Sequence, residues 1–218
     1  MASSIESRNA KRSRRLRITA PPLPVGERLH SGSAVMIRRV RNEDAPALQQ
    51  FVRDLSAPSR YRRFLRAIRE LPGDMLERFT HPDPAGEAVL VASLPHTRTR
   101  IIGVAQYASA GESSEIAVAV ADAWQRQGLG YYLLEALLNV AVEAGIERIH
   151  ADVLADNHAM HQLAQKLGCD IAGNPAAPVL VKVTKYLPAE AAALSAISVS
   201  NFVNRSRALV SAYELPSA

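Results

Sequence analysis

The chain has 218 residues, which at about 150 residues per domain predicts one domain with extensions. Hydrophobic residues make up 48% and charged residues 22%, a balance that supports a sizeable core and excludes wholesale disorder or a fibrous protein. The formal net charge of +5 resides entirely in residues 1–30, with seven basic side chains against two acids, and the neutral remainder argues against nucleic-acid binding by the main body.

A single cysteine, Cys169, cannot form an internal disulfide, so a cytoplasmic location is expected. The longest charge-free run, Ala191 to Asn204, contains serines and is too short to cross about 30 Å of hydrocarbon, so no membrane helix is expected. The basic N-terminal segment has no apolar run of secretory type. It reads as a solvated arm, the one part of the chain suited to touch nucleic acid.

In chain order, residues 1–33 read as a basic, Pro-containing disordered arm, whose Ala20-Pro21-Pro22-Leu23-Pro24-Val25-Gly26 suits an extended linker. Folded structure is expected from Ala34. Val35 to Val40 has the β-branched character of a first strand, and Asn42 is placed to cap a helix from Glu43 to about Leu55 with Leu48, Phe51, Val52 and Leu55 as its apolar stripe. Ser59 is expected to open a second helix containing Tyr61, Phe64, Leu65 and Ile68, followed by a short one around Met75 to Phe79.

Glu87 to Ser93 and Arg100 to Ala108 read as strands joined in a hairpin across Leu94-Pro95-His96-Thr97. Glu115 to Val120 is a third strand in this region, leading into Gly128-Leu129-Gly130 and a long helix from Tyr131 to about Ala144. Ile149 to Leu154 is a further strand, Asp156-Asn157 begins a helix ending at Gly168, and Val179 to Val183 closes the set. Antiparallel strands followed by β-α-β-α-β describe an α/β (α+β) domain: a mixed, mostly antiparallel sheet of about seven strands flanked by helices. Residues 189–218 read as a C-terminal extension with the composition of a helix.

The informative run is Glu115 to Gly130. A strand enters it and a helix leaves it, and a helix N-terminus with two glycines lets a pyrophosphate approach unpaired N–H groups. The Walker turn and the dinucleotide fingerprint are not met, because Gly130 is followed by Tyr131, Tyr132 and Leu133. A glycine pair alone is equally compatible with a plain loop-to-helix connection.

Gln125-x-x-Gly128-x-Gly130 resembles the Q/R-x-x-G-x-G/A motif of the GNAT acetyltransferases, and Asn157-x-x-Met160-x-x-Leu163-Ala164-x-Lys166-Leu167-Gly168 resembles the family's later helix. The likeness covers roughly residues 35–186, which implies a GNAT domain over 34–188. Ser59-x-Tyr61-x-Arg63-Phe64, with Glu115 ten residues before Gln125, resembles the catalytic domain of bacterial protein lysine acetyltransferases in particular.

The resemblance implies acetyl-CoA as cosubstrate, no metal, and direct transfer to a primary amine, most naturally a protein lysine. It implies that Gln125, Arg126, Gln127, Gly128, Leu129, Gly130 and Tyr131 form the pyrophosphate site. Pantetheine would lie along Ile116, Ala117 and Val118, near Asn157, which is also a plain helix cap. Glu115 becomes the general base, in a desolvated cleft that raises its pKa. The family's frequent tyrosine acid is replaced by Ala164. A basic, aromatic helix around Arg60 to Arg69 could face the acceptor. Transfer to a small amine, and an acyl-CoA-binding regulator without activity, are the competing functions; oligomeric state stays open.

Overall fold

Pairing of β-branched segments organises the computed structural model, which describes residues 23–95, 97–110, 113–175 and 177–188. Eight strands form one sheet: β1 (Val25–Arg28), β2 (Ala34–Arg39), β3 (Glu87–Leu94), β4 (Thr97–Ala110), β5 (Ser113–Val120), β6 (Arg148–Leu154), β7 (Asp170–Gly173) and β8 (Leu180–Tyr186). Their order is β1-β2-β3-β4-β5-β6-β8-β7. All neighbours pair antiparallel except β5 and β6, which run parallel.

The helices are α1 (Ala45–Asp54), α2 (Ala57–Phe64), α3 (Gly73–Thr80), α4 (Leu129–Glu143) and α5 (His158–Lys166). They separate the core into two apolar layers. Leu133, Leu134, Leu137 and Leu138 of α4 pack with Leu90, Ile102, Ile116, Ile149 and Val183 on one side of the sheet. Leu48, Phe51 and Val52 of α1, with Phe79 of α3, pack on Val89, Val91, Ile101 and Val104 on the other. The expected stripe of α1 is buried at Leu48, Phe51 and Val52, with Leu55 buried just beyond it.

Several boundaries differ from expectation. Folded structure starts before Ala34, because Val25 and Leu29 are buried and Val25 pairs with Ile37, so β1 lies inside the stretch read as an arm. Asn42 does not cap α1. A short 3-10 turn, Asn42–Asp44, comes first; Asp44 accepts the Arg41 N–H at 2.7 Å and a bidentate pair of bonds from Arg38, each 2.7 Å.

Ser56, not Ser59, caps α2, its side chain accepting the Ser59 N–H. The helix ends at Phe64 because Leu65 is left-handed (φ 52°), which leaves Ile68 outside it. Strand β7 carries Asp170 and Gly173 in four residues, too short and polar to signal itself, and it raises the strand number from about seven to eight. The expected C-terminal helix, residues 189–218, and most of the basic arm lie outside the described residues. No helix among the described residues is long and apolar enough to cross a membrane.

Candidate active site

β5 and β6 are joined at only two described rungs, Ser114 to Ile149 and Glu115 to His150. Both strands continue past those rungs, β5 to Val120 and β6 to Leu154, without further pairing, so a gap opens between them from Glu115 onward. On the other side β5 stays paired to β4 as far as Val120 with Gly103. Ala121 N–H donates to Ile102 of β4 at 2.9 Å. Successive amides of a strand point to opposite edges, so the N–H groups of Val120 and Val118 turn away from β4, into the gap.

Glu115 stands at the apex of this gap. Strand alternation puts it on the face of Ala117 and Ala119, while Ile116 is buried under α4. The Glu115 side chain is exposed, not desolvated as the sequence suggested, because its facing residue on β4 is Ala108 and the strands part beside it. Arg63 of α2 approaches from the same side. Its guanidinium lies 4.7 Å from the Phe64 ring centroid and 5.6 Å from that of Phe79, with Nη2 buried and without a hydrogen-bond partner among the described residues. Burial lowers the Arg63 pKa to about 10, with the Glu115 charge acting in the opposite sense.

At the wide end of the gap, Asp122–Trp124 forms a 3-10 turn, and the chain then passes through Arg126 (φ 60°) and Gly128 (φ 94°) into α4. Gly128 needs its left-handed backbone to start the helix. An added Cβ there would also come within 3.4 Å of His30 Nε2, and the His30 N–H holds the Gln127 carbonyl at 3.0 Å. The first N–H groups of α4 have no partner within the helix, which leaves a positively polarised cradle that suits a pyrophosphate. The Tyr131 N–H, by contrast, donates back to Gly128 at 3.0 Å. Gly130 serves packing: a Cβ there would lie 3.3 Å from Leu163 Cδ2 of α5.

The polar motif residues act as ties. Gln125 Nε2 donates to the Val120 carbonyl at 3.0 Å and to Ser59 Oγ at 3.1 Å. Asp122 accepts the Ser56 N–H at 2.9 Å and the Ser56 and Ser59 hydroxyls at 2.7 Å each. Burial acts to raise the Asp122 pKa, but these bonds outweigh it and hold the carboxyl below its ordinary value. Asn157 caps α5, its Oδ1 accepting the Met160 N–H at 3.3 Å.

A cavity of 650 Å3 lies beside the wide end of the gap, lined by Pro58, Tyr61 and Arg62 of α2, Leu154 at the end of β6 with Ala155 and Asp156 after it, and Pro178 with Val179. Only part of the basic α2 surface reaches it, since Arg60 Nη1 is bonded to the Leu55 and Arg53 carbonyls. A second groove of 390 Å3, lined by β1, β2 and α4, does not include Glu115. Tyr107 is buried in the α4 layer, on the sheet face opposite Glu115. His158 and His161 stack edge to face on α5. The sequence reading did not mark Asp122, His30 or His150. A carboxylate three residues before Gln125 was the available signal for the first.

A strand gap ending in an anion cradle suits an elongated ligand that carries phosphate. Residues 50–169 match the model of the acetyltransferase (GNAT) family. The chain belongs to the GNAT family. It is an acetyl-CoA-dependent acetyltransferase. It is 33% identical to acetyltransferase PA5475 of Pseudomonas aeruginosa over 145 residues, covering 65% of this chain and 78% of that protein. It is 29% identical to acetyltransferase Pat of Mycolicibacterium smegmatis over 157 residues, 71% of this chain, and the match spans 46% of that relative's length.

Among solved structures, the GNAT domain of S. lividans PAT superposes with a TM-score of 0.70 at 27% identity, covering 77% of this chain and 99% of that one. YncA of Salmonella typhimurium, solved with acetyl-CoA, shares the fold with a TM-score of 0.58 at 22% identity, over 72% of this chain and 96% of that one.

Proposed function

We propose that this GNAT enzyme transfers the acetyl group of acetyl-CoA directly to lysine side chains of proteins, with Glu115 as the base. The observation that carries this reading is the position of Glu115 at the apex of the gap between β5 and β6, where an acceptor amine can meet a thioester lying between the strands. A lysine of reference pKa ~10.4 must lose a proton before it attacks, at a cost of about 4.6 kcal/mol at neutral pH. The exposed carboxylate of Glu115 is placed to take that proton, directly or through a water. The Val118 N–H, turned into the gap, is placed to stabilise oxygen charge developing on the thioester carbonyl.

Gln127, Gly128, Leu129 and Gly130 would hold the pyrophosphate on the α4 N-terminus, and Asn157 would orient the pantetheine arm. Ala164 is buried, so position 164 supplies no acid. A thiol of reference pKa near ~8.5 leaves as thiolate without strong acid help.

A protein acceptor is favoured by the open cleft rim. Tyr61 and Val179, both lining the cavity, are 49% and 68% exposed, as suits docking of a partner surface. Likeness to Pat and to the PAT domain supports the same choice.

The test is incubation of the protein with acetyl-labelled acetyl-CoA and a whole cytosolic extract, beside Glu115→Gln. Label in protein lysines, lost in the variant, is expected. Label in a small amine instead would make this a metabolite acetyltransferase, and label in neither fraction would favour a binding-only regulator.

A further inference from the structure

Two polar side-chain atoms near Glu115 are buried without a hydrogen-bond partner among the described residues, Arg63 Nη2 and Gln106 Oε1. Folded proteins rarely leave such atoms unsatisfied, and an exception calls for strain, a bound water or ion, or a functional role. Gln106 lies on β4 opposite Ala117, and Ala108, two residues on, lies opposite Glu115. Facing residues of an antiparallel pair share a sheet face, so Gln106 and Glu115 are diagonal neighbours at about 7–8 Å. Ala108 and Ala117, which complete this group of four, carry only methyl groups. On the far side Gln106 faces Val89, a buried member of the layer beneath α1 and α3, and its diagonal neighbour there, Glu87, already accepts a bond from Arg78 at 2.7 Å.

We propose that Gln106 is an acceptor-binding residue whose side-chain oxygen receives one N–H of the incoming amine while Glu115 takes a proton from the same nitrogen. The inference rests on the reading of Glu115 as the base and adds the group that aims the amine. The proton inventory closes. An alkylammonium brings three N–H bonds. One proton passes to Glu115, and the freed lone pair forms the C–N bond as the C–S bond breaks. A second proton leaves the nitrogen for the departing sulfur or solvent, and the third remains in the amide, where Gln106 holds it.

A neutral carbonyl is suited to this role because it accepts from the ammonium and from the free amine alike. A carboxylate at position 106 would stabilise the ammonium as an ion pair and oppose its deprotonation. Arg63, whose charge faces Glu115, opposes that carboxylate, and Glu87, on the same sheet face, is paired with Arg78 at 2.7 Å.

The experiment measures transfer of labelled acetyl from saturating acetyl-CoA to a whole cytosolic extract, titrated by dilution, for the wild-type chain, Glu115→Gln, Gln106→Leu and Gln106→Glu. Gln106→Leu is expected to raise the apparent KM for acceptor about tenfold, the worth of one hydrogen bond. The KM for acetyl-CoA and the melting temperature should stay at wild-type values. Gln106→Glu is expected to fold, to lower kcat, and to move the rise of the pH–rate profile to higher pH.

A wild-type acceptor KM in Gln106→Leu, with activity still lost in Glu115→Gln, overturns the role of Gln106 and leaves the base intact. Should Gln106→Leu unfold, an unshifted pH profile in Gln106→Glu overturns the proposal instead. Full activity in Glu115→Gln, or no transfer by the wild type, removes the base itself and the proposal with it.

Discussion

The carboxylate of Asp122 takes the Ser56 N–H at 2.9 Å and the Ser56 hydroxyl at 2.7 Å, so one side chain before the Gly128 turn fixes the first turn of α2. The same α2 carries Tyr61 and Arg62 on the cavity and Arg63 toward Glu115. The turn that leads into α4 and helix α2 are therefore tied together through one carboxylate. Asp122→Ala should weaken both substrates together, each by about fivefold, as expected from loss of roughly 1 kcal/mol of hydrogen bonding. Steady-state kinetics with acetyl-CoA and acceptor varied in turn would check this, and a change confined to one substrate would contradict the coupling.

Gly130 and Leu163 predict a reciprocal pair. A Cβ at position 130 would meet Leu163 Cδ2 at 3.3 Å, so Gly130→Ala should press α5 away from α4 and cost about 1–3 kcal/mol. Leu163→Ala alone opens space and should also destabilise. The double variant should be more stable than the sum of the two, by more than about 0.5 kcal/mol in a double-mutant cycle read by urea unfolding. Strict additivity would mean that the two helices do not share this contact.

Asn157 separates a cap from a ligand contact by chemistry. Asp retains the carbonyl-type oxygen that accepts the Met160 N–H but has no amide donor. Asn157→Asp should keep its melting temperature while losing acetyl-CoA affinity, measured by calorimetry, whereas Asn157→Ala should lose both, with about 1 kcal/mol of stability. Unchanged affinity in both variants would reduce Asn157 to a cap.

Acid sensitivity follows from Asp44. Burial acts to raise its pKa, but the Arg38 guanidinium and the Arg41 N–H outweigh it, so the folded value lies below the ordinary carboxylate range. A depressed folded pKa gives stability that is present above the unfolded value, near ~3.9, and lost as pH falls through the folded one. Asp44→Asn should therefore destabilise the protein by about 3 kcal/mol at pH 7, through an uncompensated Arg38. The gap between variant and wild type should close below about pH 4. A gap independent of pH in chemical unfolding would show that packing, not charge, sets the cost.

The sequence made the sheet legible wherever a β-branched run met a turn. Glu87 to Ser93, Glu115 to Val120 and Ile149 to Leu154 all fall within observed strands. Helix starts were harder, because Asn42 and Ser59 look like caps while Asp44 and Ser56 supply the backbone bonds. Only tertiary partners, Arg38 and Asp122, decide between such near-equivalent polar residues. The glycine cradle and Glu115 were visible as a motif with its spacing. The exposure of Glu115 was not, since it depends on where β6 leaves β5. Gln106 was invisible for the same reason, because its neighbourhood is set by register with Ala117 on the next strand.

The parting of β5 from β6 has a mechanical meaning. The sheet consists of two antiparallel blocks, five strands and three, sewn at two described rungs. Backbone bonds supply little of the strength of that seam, which rests on side chains such as Ile116 and Ile149 sharing the layer beneath α4. Glu115 belongs to one of the two stitches. Whatever wedges the blocks apart or draws them together is felt first at the carboxylate, so the rigidity of the α4 layer sets how faithfully that group keeps its place.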